Sequence, residues 1–131
     1  MTRSVPILVL LVALAGITLS TCVDVPIRNV PETQLAIRSD YVTLDQVSDA
    51  IVRAGTNLGW SMYEEVPGHI VGTLTVRDHQ AVVDIFYNTE TFSIGYKDSA
   101  NLLYTGSTIH RNYNRWVMNL ERAIQNEVVS L

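Results

Sequence analysis

From Tyr41 onward the chain divides into segments of two hydrophobic periods. Leu44, Val47, Ala50, Ile51, Ala54 and Leu58 recur every three or four residues and predict an amphipathic helix. Thr43, followed three residues later by Gln46, fits a capping box at its start, and Gly59 can take the left-handed conformation that ends it. At Trp60 the period drops to two. Trp60, Met62 and Glu64 alternate with Ser61, Tyr63 and Glu65 up to a turn at Val66-Pro67-Gly68-His69. In the next strand Ile70, Gly72, Leu74 and Val76 oppose Val71, Thr73, Thr75 and Arg77. After a turn at Asp78-His79-Gln80, Ala81, Val83, Ile85 and Tyr87 oppose Val82, Asp84 and Phe86. Asn88-Thr89-Glu90-Thr91 leads to Phe92, Ile94 and Tyr96, set against Ser93, Gly95 and Lys97. Connections this short force antiparallel neighbours, hence a meander. A loop from Asp98 to Ser107 then feeds a second helix along Ile109, Tyr113, Trp116, Val117, Leu120, Ala123, Ile124 and Val128, with Ser107 or Thr108 as its cap.

The simplest packing of these elements is an α+β fold: a two-layer α-β-β-β-β-α domain over 41–131, an antiparallel four-stranded meander with both helices on one face. Trp60, Ile51, Val83, Ile85, Ile94, Trp116, Leu120 and Ile124 are the expected core. About 110 residues follow position 21, room for one domain and no second.

The first 21 residues follow a different pattern. Arg3 precedes a nearly unbroken apolar run from Val5 to Leu19, the length of a signal-peptide h-region and short for a membrane span. Leu19-Ser20-Thr21-Cys22 resembles the bacterial lipobox, whose cysteine receives diacylglycerol and further acyl chains such as palmitate; Thr21 stands where that motif has Gly, Ala or Ser. The resemblance implies a signal peptide over 1–21 and a lipid on Cys22, giving a lipid-anchored, periplasm-facing envelope protein. Val23, rather than Asp, after the cysteine favours the outer over the inner membrane. Cys22 is the sole cysteine, so no internal disulfide forms, and an ordinary signal peptide cut nearby would leave it a free thiol. The polar, Pro-containing stretch 22–40 is expected to be the acylated cysteine and a flexible tether. Removing the leader takes away Arg3 and no acid, shifting the net charge of −4 to about −5, which gives no electrostatic reason to bind nucleic acid.

A second resemblance lies near the C-terminus. Tyr96-Lys97-Asp98-Ser99, Asn101-Leu102, Tyr104, Ile109-His110, Asn112-Tyr113-Asn114, Trp116-Val117 and Asn119-Leu120 are similar to a family of small, functionally uncharacterised bacterial lipoproteins and periplasmic proteins. There a strand ending near Tyr-Lys-Asp-Ser leads through a short loop into a helix with Tyr-Asn and Trp-Val. The likeness supports fold and location and carries over no catalytic residue.

Chemistry is sparse. His69, His79 and His110 lack metal-ligand spacing, no cofactor motif is present, and Ser99 and Ser107 have no nucleophile elbow or oxyanion loop, so no enzyme activity is expected. Asp84, on the strand face away from the helices, could reach Thr75, Arg77 or Lys97 in a cross-strand pair. Lys97, Asp98, Asn101, Tyr104, His110 and Asn114 crowd one strand-to-helix passage and form the candidate binding surface; the plainer account is that they bond local backbone and satisfy the core. The expected role is a non-catalytic module that binds an envelope protein or itself. The alternative is a small-ligand or hydrolytic site around Tyr96, Asp98, Tyr104 and His110.

Overall fold

The computed structural model describes residues 24–131; the leader and Cys22 lie outside the described residues. In chain order the elements are β1 (Asp24–Pro26), β2 (Val30–Gln34), α1 (Leu44–Asn57), β3 (Ser61–Val66), β4 (His69–Val76), β5 (His79–Tyr87), β6 (Thr91–Ala100), β7 (Thr108–His110) and α2 (Arg111–Val128). The class is α+β. Five strands form one antiparallel sheet in the order β2-β6-β5-β4-β3, and β1 pairs with β7 in a separate two-stranded ribbon. Among the described residues no helix is long and apolar enough to cross a membrane.

The capping box forms as its residues dictate: the Gln46 N–H donates to Thr43 Oγ1 (3.2 Å), and Gln46 Oε1 accepts from the Thr43 N–H (2.9 Å). Gly59, at φ +89°, follows the last turn of α1. The hairpin between β3 and β4 turns on Pro67-Gly68; Gly68 sits at φ +92°, and a Cβ there would crowd the Tyr87 carbonyl at 3.2 Å.

One core joins these elements. Val47, Ala50, Ile51 and Ala54 of α1, Tyr113, Val117, Leu120, Ile124 and Val128 of α2, and Ile70, Leu74, Ala81, Val83, Ile85, Phe92 and Ile94 of the sheet are all buried in the same cluster. Those sheet residues share one face. The alternate positions, His69, Val71 and Thr73 on β4 and Val82, Asp84 and Phe86 on β5, are all partly or fully exposed.

Four expectations are corrected. The stretch 22–40 is no tether from Asp24 on: β2 adds a fifth strand beside β6, burying Val30 and Leu35, and β1 zips onto β7. As an edge strand β2 exposes most of its side chains and tolerates Pro31, which has no N–H to give, so it carries no alternating pattern to read. The second helix begins at Arg111, because Thr108–His110 is drawn out into the ribbon, and its N-cap is His110 rather than Ser107 or Thr108. The turn after β4 is Arg77-Asp78, with Arg77 at φ +57°, so His79 already belongs to β5. Trp116 is only partly buried, beside a small cleft with Leu58, Trp60, Leu74 and Asn119; Tyr113, with no accessible surface, is the aromatic that enters the core from α2.

Candidate functional site

The passage from Lys97 to Asn114 is dispersed by the fold. A bulge in β6 pairs Val83 with Tyr96 and Val82 with Asp98, leaving Lys97 as the extra residue. Its ammonium reaches Asp84 on the sheet's outer face. Asp98 accepts a hydrogen bond from the neighbouring Ser99 N–H (2.8 Å). Asn101, at φ +57°, donates to the Asp78 carbonyl (2.7 Å) and accepts at its own carbonyl from His79 Nδ1 (2.7 Å), stitching the loop to the β4–β5 turn. Tyr104 stacks on Tyr96, with ring centroids 3.9 Å apart. His110 accepts the Asn112 N–H at Nδ1 (3.2 Å) as a helix cap. Asn114 accepts from Arg28 N and donates to the Pro26 carbonyl, both at 2.9 Å, fastening the β1–β2 connection to α2. Each of these residues performs a local task of its own. Tyr96, Asp98, Tyr104 and His110 do not form one group either: the two tyrosines meet, while Asp98 and His110 each bond nearby backbone.

Beneath the tyrosine pair lies Tyr113, whose ring meets Tyr96 edge-on at 5.8 Å. Its hydroxyl is buried and has no hydrogen-bond partner among the described residues. Burial, reinforced by Tyr96 and Tyr104, holds this phenol well above its ordinary pKa. A second polar cluster sits at the core's rim. Ser48 donates to Glu64 Oε1 (3.1 Å), the Tyr87 hydroxyl donates to the same oxygen, and burial together with that carboxylate raises the Tyr87 pKa.

The convergent group lies on the outer face of the sheet. Register places Val71 opposite Asp84 and His69 opposite Phe86, so His69 is the diagonal neighbour of the carboxylate. His69 Nε2 lies 2.7 Å from Asp84 Oδ1, and Lys97 Nζ lies 3.1 Å from the same oxygen. The His69 ring stacks on Phe86 with centroids 4.4 Å apart and planes 16° from parallel. The imidazole is thus held on one side by a charge-assisted bond and covered on the other by an aromatic ring. Partial burial pulls the Asp84 pKa up, but the hydrogen bonds from His69 and Lys97 outweigh it, and the net value lies below the ordinary 3.8. The side chains of His69 and Asp84 are 17% and 20% exposed, whereas Phe86 at 52% and Tyr63 at 66% stand well out into solvent.

At one end of this face lies a groove of about 350 Å³ whose lining includes Glu32, Phe86, Asn88, Thr91 and Ser93. Thr91 Oγ1 donates to the Glu32 carboxylate (3.0 Å), linking β2 to the start of β6. Among the described residues no cluster of three His, Cys, Asp or Glu side chains is placed to hold a metal ion.

His69, Phe86 and Glu32 went unread in the sequence as site residues. The sequence pattern places His69 in a turn and Glu32 in the polar stretch 22–40. The available signal was Asp84, an outward carboxylate on a central strand, together with a two-residue turn at Arg77-Asp78 that sets its diagonal neighbour. Comparison of the chain with protein-family models, with curated proteins and with solved structures finds no match, so the site is read from its own geometry.

Proposed function

We propose that this chain is a lipoprotein of the bacterial envelope, acylated at Cys22 and facing the periplasm from the outer membrane. Its domain serves as a non-catalytic module that binds a protein partner through the outer face of the five-stranded sheet. One observation carries the binding reading: Phe86 and Tyr63 stand exposed on that face around a half-buried His69–Asp84 pair, which the exposed Lys97 joins. Aromatic side chains beside a sheltered charged group are what a protein partner's surface desolvates at the centre of an interface. The network also holds His69 against Phe86, so the platform is fixed before contact and little side-chain freedom is lost on binding. The leader and its lipobox-like end carry the location.

The test is site-specific photocrosslinking in intact cells. A photoreactive phenylalanine analogue at Tyr63 or at Phe86 should give a discrete adduct, and the same analogue at Asn126 on α2 should give none. An adduct of twice the chain's mass would identify the partner as a second copy; any other discrete mass would mean a different protein. The binding reading fails if both sheet positions stay silent in protein that reaches the envelope.

A further inference from the structure

We infer that the end of the domain bearing Leu103 and Tyr104 rests on a lipid surface; the inference builds on acylation at Cys22. Cys22 stands only two residues before Asp24, and Asp24 is already paired with His110 in the β1–β7 ribbon. Two residues span at most about 7 Å, so a lipid on Cys22 leaves the body no slack to swing away from the bilayer. Whatever surrounds Asp24 is carried to the membrane surface.

The surroundings of Asp24 are defined by hydrogen bonds. The His110 N–H donates to the Leu102 carbonyl (2.8 Å), and Ile27 N–H donates to the Ser107 carbonyl (3.0 Å), so the loop between β6 and β7 lies directly beside the ribbon. Within that loop Leu102 is buried at 1% exposure, while Leu103 and Tyr104 are turned outward at 55% and 41%. Leu103 holds φ +55°, a conformation unfavourable for a bulky L residue, and keeps its side chain exposed there. An apolar pair displayed on such a loop, next to the acylation point, suits insertion among lipid headgroups and upper acyl chains. Charges of both signs ring this end, with Arg77, Asp78, Asp24 and Arg111 all exposed. The attraction is therefore apolar, and added salt should leave it unchanged.

The test uses the full chain, expressed with its leader and reconstituted into phosphatidylethanolamine–phosphatidylglycerol vesicles with brominated acyl chains, which quench nearby tryptophan. Leu103→Trp, with Tyr104→Trp as a second variant should the first fold poorly, should lose its added emission in brominated relative to plain vesicles. Asn126→Trp, about 22 Å along α2 from Arg111 by helical rise, should keep its emission. The mass of the purified chain reports separately whether Cys22 is acylated. If it is not, the envelope-lipoprotein reading fails, and the bare thiol can be coupled to maleimide phosphatidylethanolamine to give the same tether. Quenching at Leu103 or Tyr104 with either anchor supports the docked loop. Absence of quenching at both positions in folded, vesicle-bound protein overturns it, whatever the mass shows.

Discussion

Polar and aromatic residues gather in two regions of this domain that differ in what holds them. In the passage from Lys97 to Asn114 they are neighbours in sequence, and the fold separates them: Asn101 braces a turn, His110 caps a helix, and Asn114 ties down the β1–β2 connection. On the outer face of the sheet His69, Asp84, Phe86 and Lys97 come from three strands and meet. The first region consumes its polar groups in holding the chain together. The second keeps a carboxylate, an imidazole and an ammonium together on a face that neither α1 nor α2 covers, with two exposed aromatics beside them. Residues dense along the sequence are thus scattered by the fold, while residues distant in it converge across strands.

If the passage is structural, its members should be costly to remove. Tyr113→Ala should be the most destabilising change, by about 3–5 kcal/mol for a fully buried aromatic truncated to Ala, read from urea unfolding. Tyr113→Phe removes only a buried hydroxyl that has no partner among the described residues and should be neutral or stabilising at pH 7. It also tests the alkaline limb. Above the ordinary phenol value of 10.0 the unfolded chain releases protons that buried Tyr113 and Tyr87 retain in the fold. Native stability must then fall as pH rises, and Tyr113→Phe should make that fall shallower. An unchanged alkaline slope would show that the hydroxyl ionises freely.

Next in size is Asn114→Ala. It deletes both bonds that hold the β1–β2 connection to α2 and should cost about 1–2 kcal/mol, with hydrogen exchange at Arg28 accelerating. Loss of stability without faster exchange there would place the effect elsewhere.

On the outer face the costs should be smaller. Asp84→Asn removes a half-screened ion pair with Lys97, so its effect at pH 7 should stay below about 1 kcal/mol. Because the Asp84 pKa is depressed in the fold, its contribution is present above 3.8 and is lost as pH falls through the lower folded value. Wild-type protein should therefore lose more stability on acidification from pH 5 to pH 2 than Asp84→Asn does. Equal losses would mean that Asp84 is not held by His69 and Lys97 in solution.

How much of this could be read from the sequence followed the burial of each element. Period-two and period-three-to-four patterns are written by a core, and Ile51, Val83, Ile85, Ile94, Leu120 and Ile124 are all buried where the pattern puts them. β1 and β2 bury little beyond Val30, so nothing periodic marked them, and their composition matched that of a linker. The loss of β1 from view also hid β7, which exists only because β1 pairs with it, and so moved the start of α2. A similar small error concealed the convergent site. Of the outer-face partners open to Asp84, Thr75, Arg77 or Lys97, the fold supplies Lys97, and the two-residue turn Arg77-Asp78 sets β5 along β4 so that His69 meets the carboxylate as well. Arg77 gave no warning, since a non-glycine residue at φ +57° is not announced by its identity.

The most direct test of the contrast is one set of unfolding curves for the chain, comparing the double variant Tyr63→Thr with Phe86→Thr against Asn101→Ala with Asn114→Ala. If the outer face is kept for binding, the threonine pair, in a residue suited to strands, should stay within about 1 kcal/mol of wild type, while the asparagine pair lowers the urea midpoint clearly. The reverse order, with the sheet-face pair collapsing the domain and the asparagine pair leaving it intact, would contradict the account and return the passage from Lys97 to Asn114 as the surface to pursue.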